Sequence, residues 1–289
     1  MTTAVVHWID EVRRAVHAAR LRSERIGLVP TMGALHEGHL SLIRQCRTET
    51  DFVVATIFVN PLQFGPKEDL ARYPRPFDRD VQLCEQAGVQ VIFAPDRTTV
   101  YPDGFSTHVE VESLSHRLEG AIRPGHFRGV ATVVLKLFNI VQPDIACFGQ
   151  KDAQQARLIQ QMVRDLNVPV EIRVYPTVRE VDGLALSSRN AYLNSGERQN
   201  ALALFRSLQR ARELIEAGAR DADVIRREMR AALESARGVT PDYTELVNPI
   251  TFEPVSQITG SVIAVVAARV GATRLIDNLP IEVDATNSD

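Results

Sequence analysis

Leu28-Val-Pro-Thr-Met-Gly-Ala-Leu-His-Glu-Gly-His-Leu-Ser-Leu-Ile43 runs an apolar segment into a glycine turn and then into two histidines where helical spacing begins. Ile26 to Val29 has the continuous apolar character of a buried parallel strand. Gly33 and Gly38 allow backbone to approach a ligand closely, and Leu40, Ile43 and Arg44 continue at helical spacing. The first turn of such a helix offers N–H groups and the positive end of a dipole, so it welcomes anionic oxygen. His36 and His39 share one side of that turn and can reach the same phosphate. A zinc alternative needs His-Glu-x-x-His, whereas the chain reads His36-Glu-Gly-His39 with no evident third ligand. The plainer alternative is a pair of surface imidazoles at a helix start, and segments farther along decide against it.

Outward from this stretch the pattern alternates. An amphipathic helix carrying Ile9, Val12, Val16 and Ala19 precedes it; an apolar strand at Phe52 to Val59, a helix around Asp78 to Ala87 and a strand at Val89 to Phe93 follow. That is the rhythm of a parallel sheet with helices on both faces. Thr107 to Val111 alternates and reads as an edge or antiparallel strand. A long buried helix at Gly129 to Val141, a strand at Asp144 to Phe148, a helix at Asp152 to Leu166 and a last strand at Val170 to Val178 complete the unit. Beyond about residue 180 the texture changes to Arg-rich helices, Glu197 to Ala217 and Ala222 to Ala236, with strands at Tyr243 to Val247 and Ser261 to Ala267. The final Asp-Ala-Thr-Asn-Ser-Asp reads as a loose tail.

At 289 residues the chain is long enough for two domains, each with its own core. A net charge of -3 gives no global electrostatic case for nucleic acid or a membrane surface. The longest apolar run is too short to span a bilayer and the N-terminus has no basic segment followed by an apolar one, so a cytoplasmic location is expected. Cys46, Cys84 and Cys147 lack Cys-x-x-Cys spacing and read as small core residues. Of 33 basic residues only Lys67, Lys136 and Lys151 are lysines, which suggests that a compact ammonium matters where lysine is kept. For Lys136 a stem lying along a helix is the simpler account.

Ligands of open parallel sheets bind beyond the carboxyl ends of the strands. Three polar segments follow strands here: Pro30-Thr-Met32, Asn60-Pro-Leu-Gln63 and Gly149-Gln-Lys-Asp152. Asn60 and Gln63 are side-chain amides suited to hydroxyls or a carboxylate. Lys151 at a helix start would oppose the dipole unless a phosphate is bound there. Leu186-Ser-Ser-Arg-Asn190 adds two hydroxyls and a guanidinium able to meet a triphosphate, or simply a cap.

With these segments in hand, the chain resembles the pantothenate synthetases, the pantoate and β-alanine ligases of the nucleotidyltransferase group. The resemblance rests on Pro30-Thr-Met-Gly-Ala-Leu-His-Glu-Gly-His39, Phe58-Val-Asn-Pro-Leu-Gln-Phe-Gly65, Tyr73-Pro-Arg75, Arg123-Pro-Gly-His-Phe-Arg-Gly-Val130, Lys136-Leu-Phe-Asn-Ile-Val-Gln-Pro-Asp144, Phe148-Gly-Gln-Lys-Asp152 and Leu186-Ser-Ser-Arg-Asn-Ala-Tyr-Leu193. It implies an α/β protein: a Rossmann-like parallel-sheet domain binding ATP and pantoate over residues 1–179 and a smaller C-terminal α/β lid domain over 180–289, in a homodimer. It also implies ATP as co-substrate with Mg²⁺, pantoate and β-alanine as the other substrates, and a pantoyl adenylate between two half-reactions. His39, His36 and Lys151 are the implied catalytic residues. Met32, Gly33, His36, Gly38, His39, Gly149, Gln150, Lys151, Asp152, Val178, Leu186, Ser187, Ser188 and Arg189 are expected around ATP, and Gln63, Gln155, Met32 and Asn60 around pantoate. Asp78 or Asp80 reads either as a metal contact or as an exposed carboxylate at a helix start, and neither is assigned to metal. The alternative is another nucleotidyltransferase on the same scaffold.

Overall fold

The structure, a computed structural model, describes residues 3–66 and 68–283; Lys67 and the 284–289 tail lie outside the described residues. It divides into two compact units, one made of the chain up to Gln150 with Gln154–Pro176, the other of Lys151–Ala153 with the chain from Thr177 onward.

The first unit contains β1 (Ala4–Val6), α1 (Ile9–Leu21), β2 (Ile26–Thr31), α2 (Glu37–Glu49), β3 (Phe52–Ile57), α3 (Phe77–Ala87) and β4 (Val91–Phe93). Three single-turn helices follow, α4 (Arg97–Val100), α5 (Glu112–Ser115) and α6 (Glu119–Ile122), and then α7 (His126–Val141), β5 (Ile145–Gly149), α8 (Ala153–Asp165) and β6 (Glu171–Tyr175). The six strands form a parallel sheet in the order β1-β4-β3-β2-β5-β6. From β2 the chain moves to one side through β3 and β4, then returns to the other side for β5 and β6. The order therefore reverses between β2 and β5, where open α/β sheets bind ligands.

Local chemistry explains how close the layers come. A Cβ on Gly27 in β2 would stand 2.3 Å from Cys46 Sγ and 2.5 Å from Thr50 Oγ1, so glycine there lets α2 lie tightly on the strand. Val29, Ile43, Val53, Ala55, Ile92 and Ile145 are buried in the core on this face. Helix α7 is apolar around most of its surface and buries Phe127, Val130, Val134, Leu137 and Val141, as a helix enclosed by protein must.

The expected strand at Thr107 to Val111 is corrected: the segment pairs with no strand, and Val109 N–H donates to Thr132 Oγ1 of α7 at 3.0 Å. The last strand of this sheet ends at Tyr175, short of Val178. In the second unit, α9 (Ser195–Glu216) and α10 (Ala222–Glu234) pack on a three-stranded antiparallel sheet of β7 (Val239–Val247), β8 (Val262–Val270) and β9 (Thr273–Ile281). Leu204, Leu208, Ile225, Met229, Leu246 and Val266 form its core. No helix among the described residues is long and apolar enough to cross a membrane.

Candidate active site

At the exit of β2 the backbone makes two successive left-handed steps, Gly33 at φ +81° and Ala34 at φ +51°. Such a bend turns N–H groups into the loop and needs an acceptor to hold it. Asp80 of α3 supplies one: its Oδ2 accepts from Ala34 N at 2.7 Å and its Oδ1 from Leu35 N at 2.8 Å. Asp80 is 1% exposed, so the reading of an exposed carboxylate is corrected, and both its oxygens are committed to backbone. Burial raises its pKa, opposed by the two N–H donors.

The loop delivers the chain to α2, whose N-terminus is capped by imidazoles. His36 Nδ1 accepts from Gly38 N at 3.2 Å, and His39 Nδ1 accepts from His36 N at 3.3 Å. The rings lie 4.1 Å apart, centroid to centroid. A neutral imidazole that accepts at Nδ1 carries its proton at Nε2. Each histidine therefore uses Nδ1 to hold the helix start and carries its ring proton at Nε2. Protonating either ring would set an Nδ1–H against the backbone N–H it now accepts from.

Beyond β3, the short 3₁₀ turn Pro61–Gln63 carries the amides. Asn60 is 1% exposed, and its side chain is engaged within the protein: Nδ2 donates to Gln63 Oε1 and to Gly129 O, both at 3.1 Å, while Oδ1 accepts from Tyr101 OH at 2.8 Å and Leu62 N at 3.3 Å. The two donors and two acceptor positions of the amide are thus all engaged within the protein. Its part is to hold Gln63, whose Nε2 donates to Met32 Sδ at 3.0 Å. Met32 and Gln63 are thus brought together from the ends of adjacent strands.

The Gln63 main-chain carbonyl is held in turn by residues whose roles the sequence did not disclose. His126 Nδ1 lies 2.8 Å and Arg123 Nη2 3.3 Å from Gln63 O, and Arg123 forms a two-point pair with Glu68 at 2.8 and 2.7 Å. His126 is pushed down to about 4, first by burial and then by the Arg123 charge. A histidine whose pKa falls from about 6.5 in the unfolded chain to about 4 in the folded one leaves the unfolded state binding more protons between those values. Its contribution is complete above pH 6.5 and is lost as pH falls toward 4, by an amount on the order of 3 kcal/mol. Urea unfolding is expected to show a midpoint falling from pH 6.5 to 5, before most carboxylates titrate, and a shallower fall in His126→Asn; equal slopes would contradict this.

Across the switch point, β5 ends at Gly149, where a Cβ would meet only Leu42 Cδ1, at 3.9 Å. Packing inside the protein therefore gives no reason for glycine there. At the start of α8 the two glutamines part company. Gln154 is buried and bonded to Leu114 O, Arg117 O and Glu119 N, whereas Gln155 is half-buried on a different side of the helix.

In the second unit, Lys151 lies in the 3₁₀ turn Gln150–Asp152, its carbonyl accepting from Asn278 Nδ2 at 2.9 Å and its Nζ 3.9 Å from Asp152 Oδ1. Asn278 adjoins buried Asp277, which pairs at two points with Arg179 at 2.6 and 2.9 Å. Leu186 N donates to Val178 O at 3.0 Å, setting these two residues side by side, and Ser187 Oγ accepts from Arg189 N at 3.3 Å as it caps the 3₁₀ turn Ser188–Tyr192.

A parallel sheet with a helix N-terminus and paired imidazoles at its switch point defines a Rossmann-like α/β enzyme that handles nucleotides. The family model for pantoate-beta-alanine ligase matches residues 4–280, and the chain belongs to that family. Among curated relatives, the pantothenate synthetase of Moorella thermoacetica is 55% identical, covering 96% of this chain and 98% of its own, and that of Thermotoga petrophila is 54% identical, covering 95% and 98%. A crystal structure of pantothenate synthetase from Thermus thermophilus superposes with a TM-score of 0.91 at 48% identity, covering 96% of this chain and 99% of that one. The pantoate-beta-alanine ligase of Francisella tularensis, complexed with beta-gamma ATP and beta-alanine, has a TM-score of 0.79 at 34% identity, covering 96% and 97%.

Proposed function

We propose that this chain condenses pantoate with β-alanine at the expense of ATP, through a pantoyl adenylate, releasing pyrophosphate and AMP. The observation that carries the reading from residues to chemistry is the reciprocal imidazole cap of His36 and His39 at the switch point, inside a chain that matches the ligase family over residues 4–280. A pantoate carboxylate oxygen attacks the α-phosphorus and the bond to the bridging oxygen of pyrophosphate breaks. The β-alanine nitrogen then attacks the activated acyl carbon, AMP departs, and the nitrogen gives up a proton. No protein nucleophile is required, so the side chains align reactants and stabilise charge.

His36 and His39 are assigned to the phosphates as neutral Nε2–H donors, with Lys151, Ser187, Ser188 and Arg189 as further phosphate ligands. For His39 this gives a donor of hydrogen bonds that stabilises charge on the phosphates. Backbone at Met32, Gly33, Gly38, Gly149, Gln150, Asp152, Val178 and Leu186 is assigned to the nucleotide, and Gln63, Gln155 and Met32 to pantoate. Among the described residues no three His, Cys, Asp or Glu side chains are grouped to hold a metal ion, and Asp80 is committed to backbone. Mg²⁺ is assigned to the nucleotide substrate, whose phosphate oxygens would hold it and whose charge it would offset. A cytoplasmic homodimer belongs to the same proposal, and light scattering at working concentration checks the dimer.

ATP–pyrophosphate isotope exchange with pantoate present and β-alanine absent tests the reading. Pantoate-dependent exchange is the expected result; its absence in a folded sample, or ADP in place of AMP in the complete reaction, would return the chain to the other nucleotidyltransferase chemistries. Gln155→Ala is expected to raise the KM for pantoate about tenfold and that for ATP by less than about twofold, the loss of one hydrogen bond to a charged group. Equal losses for both substrates would remove Gln155 from the pantoate site.

A further inference from the structure

We infer that Glu68, Arg123 and His126 form a positioning clamp on Gln63, acting through its main-chain carbonyl, and that this clamp sets how tightly the enzyme holds its hydroxy-acid substrate. The inference rests on the assignment of the Gln63 amide to pantoate. It begins with the tautomer of His126. Its Nε2 faces Arg123 Nη1 at 3.1 Å, and a guanidinium has no acceptor, so Nε2 accepts and the ring proton sits on Nδ1. Nδ1–H then donates to Gln63 O at 2.8 Å, and Arg123 Nη2 donates to the same oxygen at 3.3 Å. Both lone pairs of that carbonyl are met, one by Arg123 at the end of α6 and one by His126 at the start of α7.

The turn carrying Gln63 is also seated backbone against backbone. A Cβ on Gly129 would stand 2.2 Å from Leu62 O and 2.7 Å from Gln63 N, so only glycine lets the turn rest on α7 at this depth. Asn60 Nδ2 closes the seat on Gly129 O. Glu68, five residues beyond Gln63, fixes the Arg123 fork at two points, and the groups facing His126 are Arg123, Glu68 and buried Glu119. The amide of Gln63 can accept and donate once more beyond its bonds to Asn60 and Met32, and its aim is set by the carbonyl behind it. The arrangement ties the Arg123-Pro-Gly-His-Phe-Arg-Gly129 segment to substrate recognition through the Gln63 carbonyl.

Steady-state kinetics on the full-length chain test this. His126→Ala is expected to raise the KM for pantoate about tenfold with the ATP value within about twofold, and His126→Asn, whose Nδ2–H can replace the imidazole Nδ1–H, to restore most of the loss. Equal rises for both substrates, or no rescue by asparagine, overturns the clamp. Should His126→Ala fail to fold, Glu68→Gln carries the test from a partly exposed side chain: an increase of about threefold confined to pantoate supports the clamp, and an unchanged value overturns it. In a Gln63→Ala background, calorimetric pantoate binding should no longer respond to Glu68→Gln, and a persisting full effect would show that the residues act elsewhere. A wild-type chain without pantoate-dependent exchange would bring down the ligase reading and the clamp together, whereas an active wild type with unselective variants brings down the clamp alone.

Discussion

Lys151→Ala is expected to lower pantoate-dependent ATP–pyrophosphate exchange by about three orders of magnitude while the protein remains folded. The size follows from what a preorganised ammonium does beside a phosphoryl group, where it needs no reorganisation as charge shifts to the leaving group. Position and context support the assignment: Lys151 follows β5 directly in the chain, and its main chain is held by Asn278. Little stability should go with it. Its ammonium stands 3.9 Å from Asp152 Oδ1, and a partly exposed pair at that distance contributes under about 1 kcal/mol. Lys151→Arg should recover only part of the activity, since a planar fork replaces a compact charge in a chain that uses arginine almost everywhere else. Thermal melts beside the exchange assay separate the two effects. Turnover near that of the wild type in Lys151→Ala would remove Lys151 from the chemistry.

The parallel sheet was legible because its central strands are buried on both faces, so Ile26 to Val29, Phe52 to Val59 (interrupted only by Thr56) and Asp144 to Phe148 read as predominantly apolar segments. Strand β1 escaped notice because three residues at a sheet edge carry almost no pattern, and β9 because Arg274, Asp277 and Asn278 interrupt its apolar positions. Thr107 to Val111 failed in the opposite sense: its alternation is real, but the partner of Val109 is a threonine side chain on α7. At the site, residue type and spacing located the imidazoles, yet only rotamers reveal that each Nδ1 is used for capping. Asn60 and Gln63, like Gln154 and Gln155, are near-identical as text; only the structure shows the Asn60 and Gln154 amides engaged inside the protein. His126 and Arg123 stood inside a quoted motif whose purpose appears only when the Gln63 carbonyl is seen to end there. Asp80 stood out in the sequence only as a helix-start carboxylate or metal contact; nothing there ties it to Ala34 and Leu35, which lie 46 and 45 residues away.

Asp80 should therefore give the second large effect. Removing its carboxylate leaves the N–H groups of Ala34 and Leu35 without their acceptor at a left-handed backbone step that alanine adopts at a cost of about 1 kcal/mol. Two lost charge-assisted bonds would ordinarily cost about 3 kcal/mol or more. Burial works against that figure. Because it lifts the folded-state pKa of Asp80, the linkage contribution of this group is complete at low pH and declines as pH rises through the lifted value, so the charged carboxylate is itself held at a cost near neutrality. A net loss on the order of 2 kcal/mol is expected for Asp80→Ala at neutral pH, visible in the urea midpoint. Activity should fall further than stability, by about a hundredfold in kcat/KM, because Ala34 is then able to return to negative φ and the start of α2 moves with it, carrying His36 and His39. Asp80→Asn should do no better, since one end of an amide would set its own N–H against a backbone N–H. The two effects can be separated by adding Ala34→Gly to Asp80→Ala: glycine relieves the left-handed cost and should return part of the stability. It supplies no acceptor, so activity should stay low. Near-normal kcat/KM in Asp80→Ala would mean that the β2 exit loop holds its shape without α3 and that the imidazole pair is positioned by α2 itself.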